Sequence, residues 1–248
     1  MLKLLQIGES EHYEKEMSVK SPAAVCFVVL PLLAGLLGLN GCMENSPSGP
    51  PATGNLSLSV WVPTSRAKTS GTIALSSAKV LIKKIAFHSA LSDDTADVKS
   101  GAVVVSLRLD GSPNEVILAD IRPGVYDRIR FQLHKPEDGE LVGDPEFAGS
   151  MSGSDRYCAV AKGVFDGASF DYRSRQNATQ EILLAAPVVV EDGGRVNVTL
   201  VVNPSSWFRF NDAVLNPMDP SNADRIDENI KASFEGAYRD NDHDGSPD

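Results

Sequence analysis

Cysteine is scarce in this sequence, and the positions of its three cysteines limit what they can do. Cys26 and Cys42 belong to an apolar segment near the amino terminus, whereas Cys158 stands alone in the body of the chain. A lone cysteine cannot form an intramolecular disulfide. The class of small, disulfide-stabilised secreted domains is therefore excluded, and an ordinary hydrophobic core must stabilise the fold.

Basic residues and histidines are also few, which restricts the classes of function. Lys and Arg number 23 against 33 Asp and Glu, and the net charge of −10 argues against nucleic acid as a partner. The histidines beyond the amino-terminal segment (His88, His134 and His243) are dispersed, and metalloprotease, serine-hydrolase and phosphate-loop motifs are missing. The sequence predicts a protein that is not an enzyme. A glycoside hydrolase stays the alternative, because its two carboxylates can come from anywhere in a fold.

An apolar segment over residues 22–42 is the longest hydrophobic run, and it ends in Leu39-Asn40-Gly41-Cys42. Its length and the preceding Lys20 are typical of a secretory signal peptide. Its last four residues resemble the bacterial lipobox. In lipoproteins with that motif the cysteine sulfur carries a diacylglyceryl group and the preceding peptide is removed. The resemblance implies that residues 1–41 are a signal peptide and that Cys42 is the lipidation site.

Two features near this segment refine the interpretation. The acidic stretch before Met17 does not suit a signal peptide, which indicates that translation starts at Met17. A single transmembrane helix is the competing interpretation, but Pro22 and Pro31 interrupt a run of marginal length. We therefore expect the membrane to be a partner through covalent lipid and not through a spanning helix.

The segment behind Cys42 predicts a flexible tether. Residues 42–54 are rich in Pro, Gly, Ser and Asn and contain almost nothing apolar, a composition that does not fold by itself. The expected location is the bacterial cell envelope, on the periplasmic or outer-membrane surface side. Met43, where inner-membrane lipoproteins of enteric bacteria have Asp, favours the outer membrane.

Residues 55–203 alternate apolar and polar side chains in short runs separated by turn residues, which predicts β-strands. In the run over 124–134, for example, Ile129, Phe131 and Leu133 share one face, and this face should be buried. Asp166-Gly167 separates two such runs and predicts a β-hairpin. About eight or nine strands without intervening helices predict an all-β fold, an antiparallel β-sandwich of Greek-key, immunoglobulin-like or prealbumin-like type.

Residues 204–239 have a different character and predict a C-terminal helical segment packed on the sandwich. Over 219–238, Ile226, Ile230 and Phe234 recur at four-residue spacing, which is one face of a helix. Asp219 or Ser221 would cap the start of this helix.

Three stretches of the body carry a family resemblance. They are "YDRIRFQLHKP", "VAKGVFDGASFDYRS" and "NVTLVVNPSSWF", and a terminal helix and an Asp-rich loop follow them. This pattern resembles a group of uncharacterised bacterial envelope lipoproteins whose body is a β-sandwich domain of unknown function. The resemblance spans residues 55–248 and implies location and fold; it implies no activity.

The last nine residues, 240–248, predict a weak calcium site. Asp240, Asp242 and Asp244, followed by Gly245, match the first positions of a calcium loop, where alternate carboxylates converge on one cation. The loop resembles those of thrombospondin-type repeats and dockerin-like modules, and its full predicted ligand set is Asp240, Asp242, Asp244, the Ser246 carbonyl and Asp248. A frayed acidic terminus is the competing interpretation.

A second candidate site is a ligand face formed by Arg128, Arg130 and His134 on one strand, which would receive an anionic ligand such as a sugar acid of the envelope. A solvated sheet face with local ion pairs is the more ordinary explanation of such a stripe. Trp207-Phe208 and Cys158 are predicted to be core residues. The preferred function is a non-catalytic binding or structural module, with an envelope glycan or protein as partner.

Overall fold

The computed structural model describes residues 54–67, 72–91, 95–99, 101–148 and 155–248. The predicted signal peptide, Cys42 and all of the tether except residue 54 lie outside these residues. Within the described part of the chain, no helix has both the length and the hydropathy needed to cross a bilayer.

The described residues fold mainly into β-strands. Two α-helices are present, α1 (Thr64–Ala67) and α2 (Ala223–Ala232), and short 3-10 turns cover Pro204–Ser206 and Pro220–Asn222. The strands are β1 Leu56–Trp61, β2 Ile73–Ser89, β3 Thr95–Lys99, β4 Val103–Ser106, β5 Asn114–Ala119, β6 Gly124–Leu133, β7 Ala159–Phe165, β8 Ala168–Ser174, β9 Ala178–Val190, β10 Val196–Val202, β11 Arg209–Phe210, β12 Ala213–Val214 and β13 Phe234–Arg239.

Eleven strands form one sheet with the order β5-β1-β10-β13-β9-β6-β2-β7-β8, to which β3 and β4 add on β2; β11 and β12 form a separate ribbon. Most pairs are antiparallel, but β1 runs parallel to β10 and β13 runs parallel to β9. The predicted mostly-β class is confirmed. The predicted antiparallel sandwich is corrected to a mixed sheet, because the C-terminal strand inserts between β10 and β9 and meets β9 in the parallel direction.

The sheet curls around one main hydrophobic core. Leu58 of β1, Phe131 of β6 and Phe170 of β8 belong to the same buried cluster, although their strands are well separated in the sheet order. Side chains from separated strands can share a core only if the sheet bends over itself. The predicted inward face of β6 is confirmed, since Ile129, Phe131 and Leu133 are all fully buried.

The predicted hairpin at Asp166-Gly167 is confirmed. It joins β7 to β8, which pair in register from Ala159 and Ser174 to Phe165 and Ala168. Both turn residues have positive φ, 48° at Asp166 and 81° at Gly167. This conformation is the one that a two-residue hairpin turn requires and that the Asp-Gly pair favours.

The predicted C-terminal helix is shorter than expected. Helix α2 ends at Ala232, and residues 234–239 form the strand β13. Ile226 and Ile230 are buried on the helix as predicted, but Phe234 is buried as a strand residue. The helical spacing of Phe234 was therefore misleading, because β10 offers this segment a complete antiparallel partner. Asp219 caps the 3-10 turn in front of α2 and accepts the Ser221 N–H at 2.9 Å.

A buried polar contact fastens α2 to β8. The Tyr172 hydroxyl donates to Asp227 Oδ1 at 2.7 Å and lies 3.0 Å from the Ala223 carbonyl oxygen. Burial raises the pKa of the Asp227 carboxyl above its ordinary value, despite the hydrogen bonds from Tyr172 and Ser174. The Asp227 carboxyl group therefore links α2 to β8 and is buried between them.

Trp207-Phe208 and Cys158 are core residues, as predicted. Trp207 and Phe208 are fully buried, and the Phe208 ring meets the Phe170 and Tyr172 rings edge-on at 5.3 and 5.8 Å. Cys158 is also fully buried, and burial raises the pKa of its thiol to about 11. The Cys158 thiol is therefore protonated at neutral pH and is a poor nucleophile.

Candidate metal centre at the C-terminal loop

The C-terminal loop lies on a layer of buried, uncharged polar side chains. Ser57 and Ser59 of β1 and Asn197 and Thr199 of β10 point away from the core, yet none is more than 2% exposed. Both serine hydroxyls donate to Asn197 Oδ1, at 2.8 and 3.0 Å. Asn197 Nδ2 in turn donates to Thr199 Oγ1 at 3.1 Å. We call these four residues the polar bed; every one of them has a partner.

Asp240 joins the loop to the polar bed at the end of β13. Its side chain is fully buried, and its Oδ2 accepts the Thr199 hydroxyl at 2.7 Å and the Gly245 N–H at 3.3 Å. Its Oδ1 accepts the Asp244 N–H at 3.0 Å. Its own carbonyl oxygen accepts Asn197 Nδ2 at 2.7 Å. One buried carboxylate thus closes the loop on itself and fastens it to the sheet.

Gly245 allows the loop to turn back over β1. Its φ is 82°, and a Cβ at this position would lie 2.7 Å from Trp61 Cε2. The Tyr238 hydroxyl donates to the Gly245 carbonyl oxygen at 2.5 Å. A side chain at position 245 would therefore be strained and would collide with Trp61. Glycine therefore permits the sharp turn of the loop at this position.

Three of the predicted ligands come together. Carboxylate oxygens of Asp240, Asp242 and Asp244 lie within 4.8 Å of one another, so this group could hold a metal ion. Asp240 is buried, whereas Asp242 and Asp244 are exposed. A hard cation such as Ca²⁺ binds carboxylate oxygens of this kind and takes further ligands from water and carbonyl oxygens. The chemistry of the group therefore fits calcium better than a soft metal.

The other two predicted ligands are placed differently. Asp248 Oδ2 accepts the Asn241 N–H at 2.9 Å and lies 3.3 Å from Arg239 Nε, so its carboxylate is turned toward a cation of the protein. Ser246 is exposed, and its N–H donates to Asp244 Oδ1 at 2.7 Å. Asp248 is not part of the group that Asp240, Asp242 and Asp244 form.

The polar bed is the part of this site that sequence reasoning missed. The alternation over residues 55–203 predicts only that these polar side chains lie opposite the core, and it does not predict that the loop covers them. A usable signal exists in the residue types, since the outward positions of β1 and β10 hold Ser, Ser, Asn and Thr and no charged residue. An outward strand face without charge indicates that another part of the chain covers it.

In the candidate ligand face, Arg128 and Arg130 lie on β6 and His134 directly follows this strand. Arg128 Nε is 2.9 Å from Asp127 Oδ1, and Arg128 Nη1 is 3.4 Å from Glu181 Oε1. Arg130 is exposed and stands opposite Glu181 in the register with β9. The two arginines thus face local carboxylates. His134 lies apart from them, with its Nδ1 at 2.6 Å from the Lys135 carbonyl oxygen.

This chain has little detectable similarity to known proteins. No family model matches the chain, and no curated protein matches it. Among solved structures, MbnP from Methylosinus trichosporium is similar with a TM-score of 0.33 and 9% sequence identity, over 62% of this chain and 75% of that chain. A similarity at this level carries no functional argument. The described residues define a mostly-β protein with a curled mixed sheet and an acidic loop that could hold a metal ion.

Proposed function

We propose that this protein is a lipid-anchored lipoprotein of the bacterial cell envelope, a non-catalytic binding or structural module whose C-terminal loop binds Ca²⁺ weakly. The calcium part is carried by one observation, the group formed by Asp240, Asp242 and Asp244 on a buried polar bed. The anchor part is supported by the sequence alone, through the apolar run that ends in Leu39-Asn40-Gly41-Cys42.

Calcium binding would order the exposed half of the loop. Asp240 is already held by Thr199, so only Asp242 and Asp244 need to turn toward the ion. Because the two exposed carboxylates repel each other, a divalent cation between them would relieve that repulsion. The group has three carboxylates and two of them are exposed, so we expect a dissociation constant of roughly 0.1–1 mM.

Addition of 10 mM Ca²⁺ is expected to raise the Tm of the protein by about 3–10 °C, the shift that such an affinity produces by mass action. The double variant Asp242→Ala/Asp244→Ala should lose this shift. Differential scanning calorimetry at constant ionic strength measures both. The matched control is Glu191→Ala/Asp192→Ala, which removes two exposed carboxylates from the turn between β9 and β10.

The control variant should keep the full calcium shift. If the Tm of the wild type does not move with Ca²⁺, or if both double variants respond like the wild type, the calcium part of the proposal is wrong.

Lipid attachment is expected at Cys42 when the chain is expressed in a bacterial host. Metabolic labelling with an alkyne-bearing fatty acid should label the wild type and should not label Cys42→Ser. Cys26→Ser is the matched control, since Cys26 lies within the predicted signal peptide, and it should label normally. Intact mass measurement should show a mature chain that begins at the modified Cys42. An unlabelled wild type that retains residues 1–41 would contradict the anchor.

The alternative function is an envelope polysaccharide-binding protein or a glycoside hydrolase. Among the described residues, Asp227 has a raised pKa, but it is buried and hydrogen-bonded to Tyr172, so it does not support the hydrolase. Glycan binding is favoured by a separate groove on the sheet, whose lining includes Lys84 and Gln132.

A further inference from the structure

A polar groove lies on the sheet where β2, β6 and the start of β9 meet. Its volume is about 310 Å³, near the lower end of the range of roughly 300–1,000 Å³ found for small-molecule sites. The polar residues of its lining are Lys84, Gln132, His134, Asn177 and Thr179. The groove is separate from the C-terminal loop and from the two arginines of the predicted ligand face.

Lys84 enters this groove from a strained position in β2. In the register of β2 with β6, Lys83 pairs with Gln132 and Ala86 pairs with Arg130, so the strand bulges at Lys84. The φ of Lys84 is 52°, in the left-handed region that favours glycine. A bulge of this kind re-aims a side chain. Strained backbone conformations of this kind are concentrated at functional sites, which points to a function of the Lys84 ammonium group.

The groove presents several donors without a protein partner. Among the described residues, the side chains of Lys84, Gln132 and Thr179 make no ion pair or hydrogen bond. Asn177 Oδ1 accepts the Lys135 N–H at 2.9 Å, which leaves the Asn177 amide NH₂ available. His134 Nδ1 must be the donor to the Lys135 carbonyl oxygen, because a carbonyl only accepts. His134 Nε2 is therefore left for another partner.

Among the described residues, no carboxylate forms a direct ion pair with Lys84, although the Lys84 charge is one of those that lower the pKa of Glu137. The acidic residues nearby, Glu137 and Glu140, are held by Lys83, whose Nζ lies 2.6 Å from Glu137 Oε1 and 3.7 Å from Glu140 Oε2. Lys83 is buried and forms these ion pairs, whereas Lys84 is exposed. The Lys84 ammonium group is therefore available to an anion in the groove.

The donor set indicates which class of anion fits. One ammonium group matches a single negative charge, and the groove has no guanidinium fork of the type that favours phosphate. Two amide side chains and a hydroxyl can donate to and accept from neighbouring hydroxyl groups. We propose that this groove binds a carboxylate-bearing sugar unit, such as a uronic acid of an acidic polysaccharide. Lys84 binds the carboxylate, and Gln132, Asn177 and Thr179 hydrogen-bond to the ring hydroxyls.

Isothermal titration calorimetry of the full chain in detergent tests this proposal, with trigalacturonate as the probe. The matched ligands are its methyl ester, which keeps the hydroxyls and loses the charge, and inorganic phosphate. Trigalacturonate should bind at least about tenfold more tightly than the methyl ester, since a charge-assisted hydrogen bond is lost in the ester. Phosphate should neither bind to the groove nor compete.

Two substitutions at Lys84 separate binding from folding. Lys84→Ala removes the ammonium group but keeps the strained backbone, so it should weaken binding about tenfold or more and leave the Tm nearly unchanged. Lys84→Gly should weaken binding equally and raise the Tm by about 2–4 °C, because glycine relieves the strain at positive φ. The control is Arg195→Ala, which removes an exposed cation that does not line the groove and which should bind like the wild type.

Three results would overturn the proposal. These are a wild type that does not bind trigalacturonate, equal affinity for the acid and its methyl ester, and Lys84 variants that bind as tightly as the wild type. Phosphate binding that Lys84→Ala abolishes would show an anion site of a different class and would also overturn the sugar assignment. The proposal does not depend on the lipid anchor or on the calcium site.

Discussion

Ala237→Asp is expected to destabilise the fold by about 4 kcal/mol or more, which is a large share of the 5–15 kcal/mol that stabilises a typical domain. Ala237 is 1% exposed, and it stands in register with Leu200 of β10 and with Leu184 of β9. An aspartate here would place a charge without a partner in the core and would overfill it. Urea denaturation measures the loss, and largely insoluble expression is the expected cellular result.

The matched control for this substitution is Gly236→Asp, which introduces the same side chain one residue earlier. Gly236 is partly exposed, and a Cβ added to it meets no atom within 4 Å. We expect Gly236→Asp to change the free energy of unfolding by about 1 kcal/mol or less. A similar effect of the two substitutions would mean that residues 234–239 are not a central strand.

Asp240→Ala is expected to cost about 3 kcal/mol in calcium-free buffer with chelator. The substitution leaves the Thr199 hydroxyl and the Gly245 N–H without their acceptor, and the Asp244 N–H keeps only its long hydrogen bond to Asp242 Oδ1. Thr199 is fully buried, so water does not replace the lost hydrogen bond. An unsatisfied buried group costs about 1–3 kcal/mol, and the exposed part of the loop recovers some of its loss in water.

Asp242→Ala is the control for Asp240→Ala, because Asp242 is exposed and accepts a single long hydrogen bond, 3.3 Å from the Asp244 N–H. Its expected cost is about 0.5 kcal/mol or less in the same buffer. Urea unfolding of both variants separates the two roles. If the two variants lose the same free energy of unfolding, Asp240 has no special structural role in the metal-free loop.

These two predictions concern the same region, and they show how the candidate site depends on the fold. Strand β13 brings Asp240 to the outer face of β10, where Thr199 and Asn197 receive it. The loop then covers the polar faces of β1 and β10, so Asn197 and Thr199 are buried as well as the inward residues of β10. A defect in β13 would therefore disturb the loop as well as the core.

The acidic C-terminal loop shows how much of a structure a local motif can predict. The spacing of Asp240, Asp242 and Asp244 is sufficient to predict that their carboxylates meet, since a tight turn at Gly245 brings them together. Asp248 was assigned to the same ligand set on spacing alone. In the fold its carboxylate lies next to Arg239 and Asn241, because the chain end pairs back along β13 through the Asp248 N–H and the Arg239 carbonyl oxygen.

By itself the sequence determined the mostly-β class, the inward face of β6, the Asp-Gly hairpin and the burial of Trp207, because each depends on residues close together in the chain. Only the tertiary structure decided that residues 234–239 are a strand, that the sheet is mixed, that Ser57, Ser59, Asn197 and Thr199 are covered, and that Lys84 stands at a bulge. The physical reason is that pairing partners and coverings come from distant parts of the chain. Residues 234–239 form a strand despite the helical spacing of Phe234, because β10 and β9 both pair with their backbone.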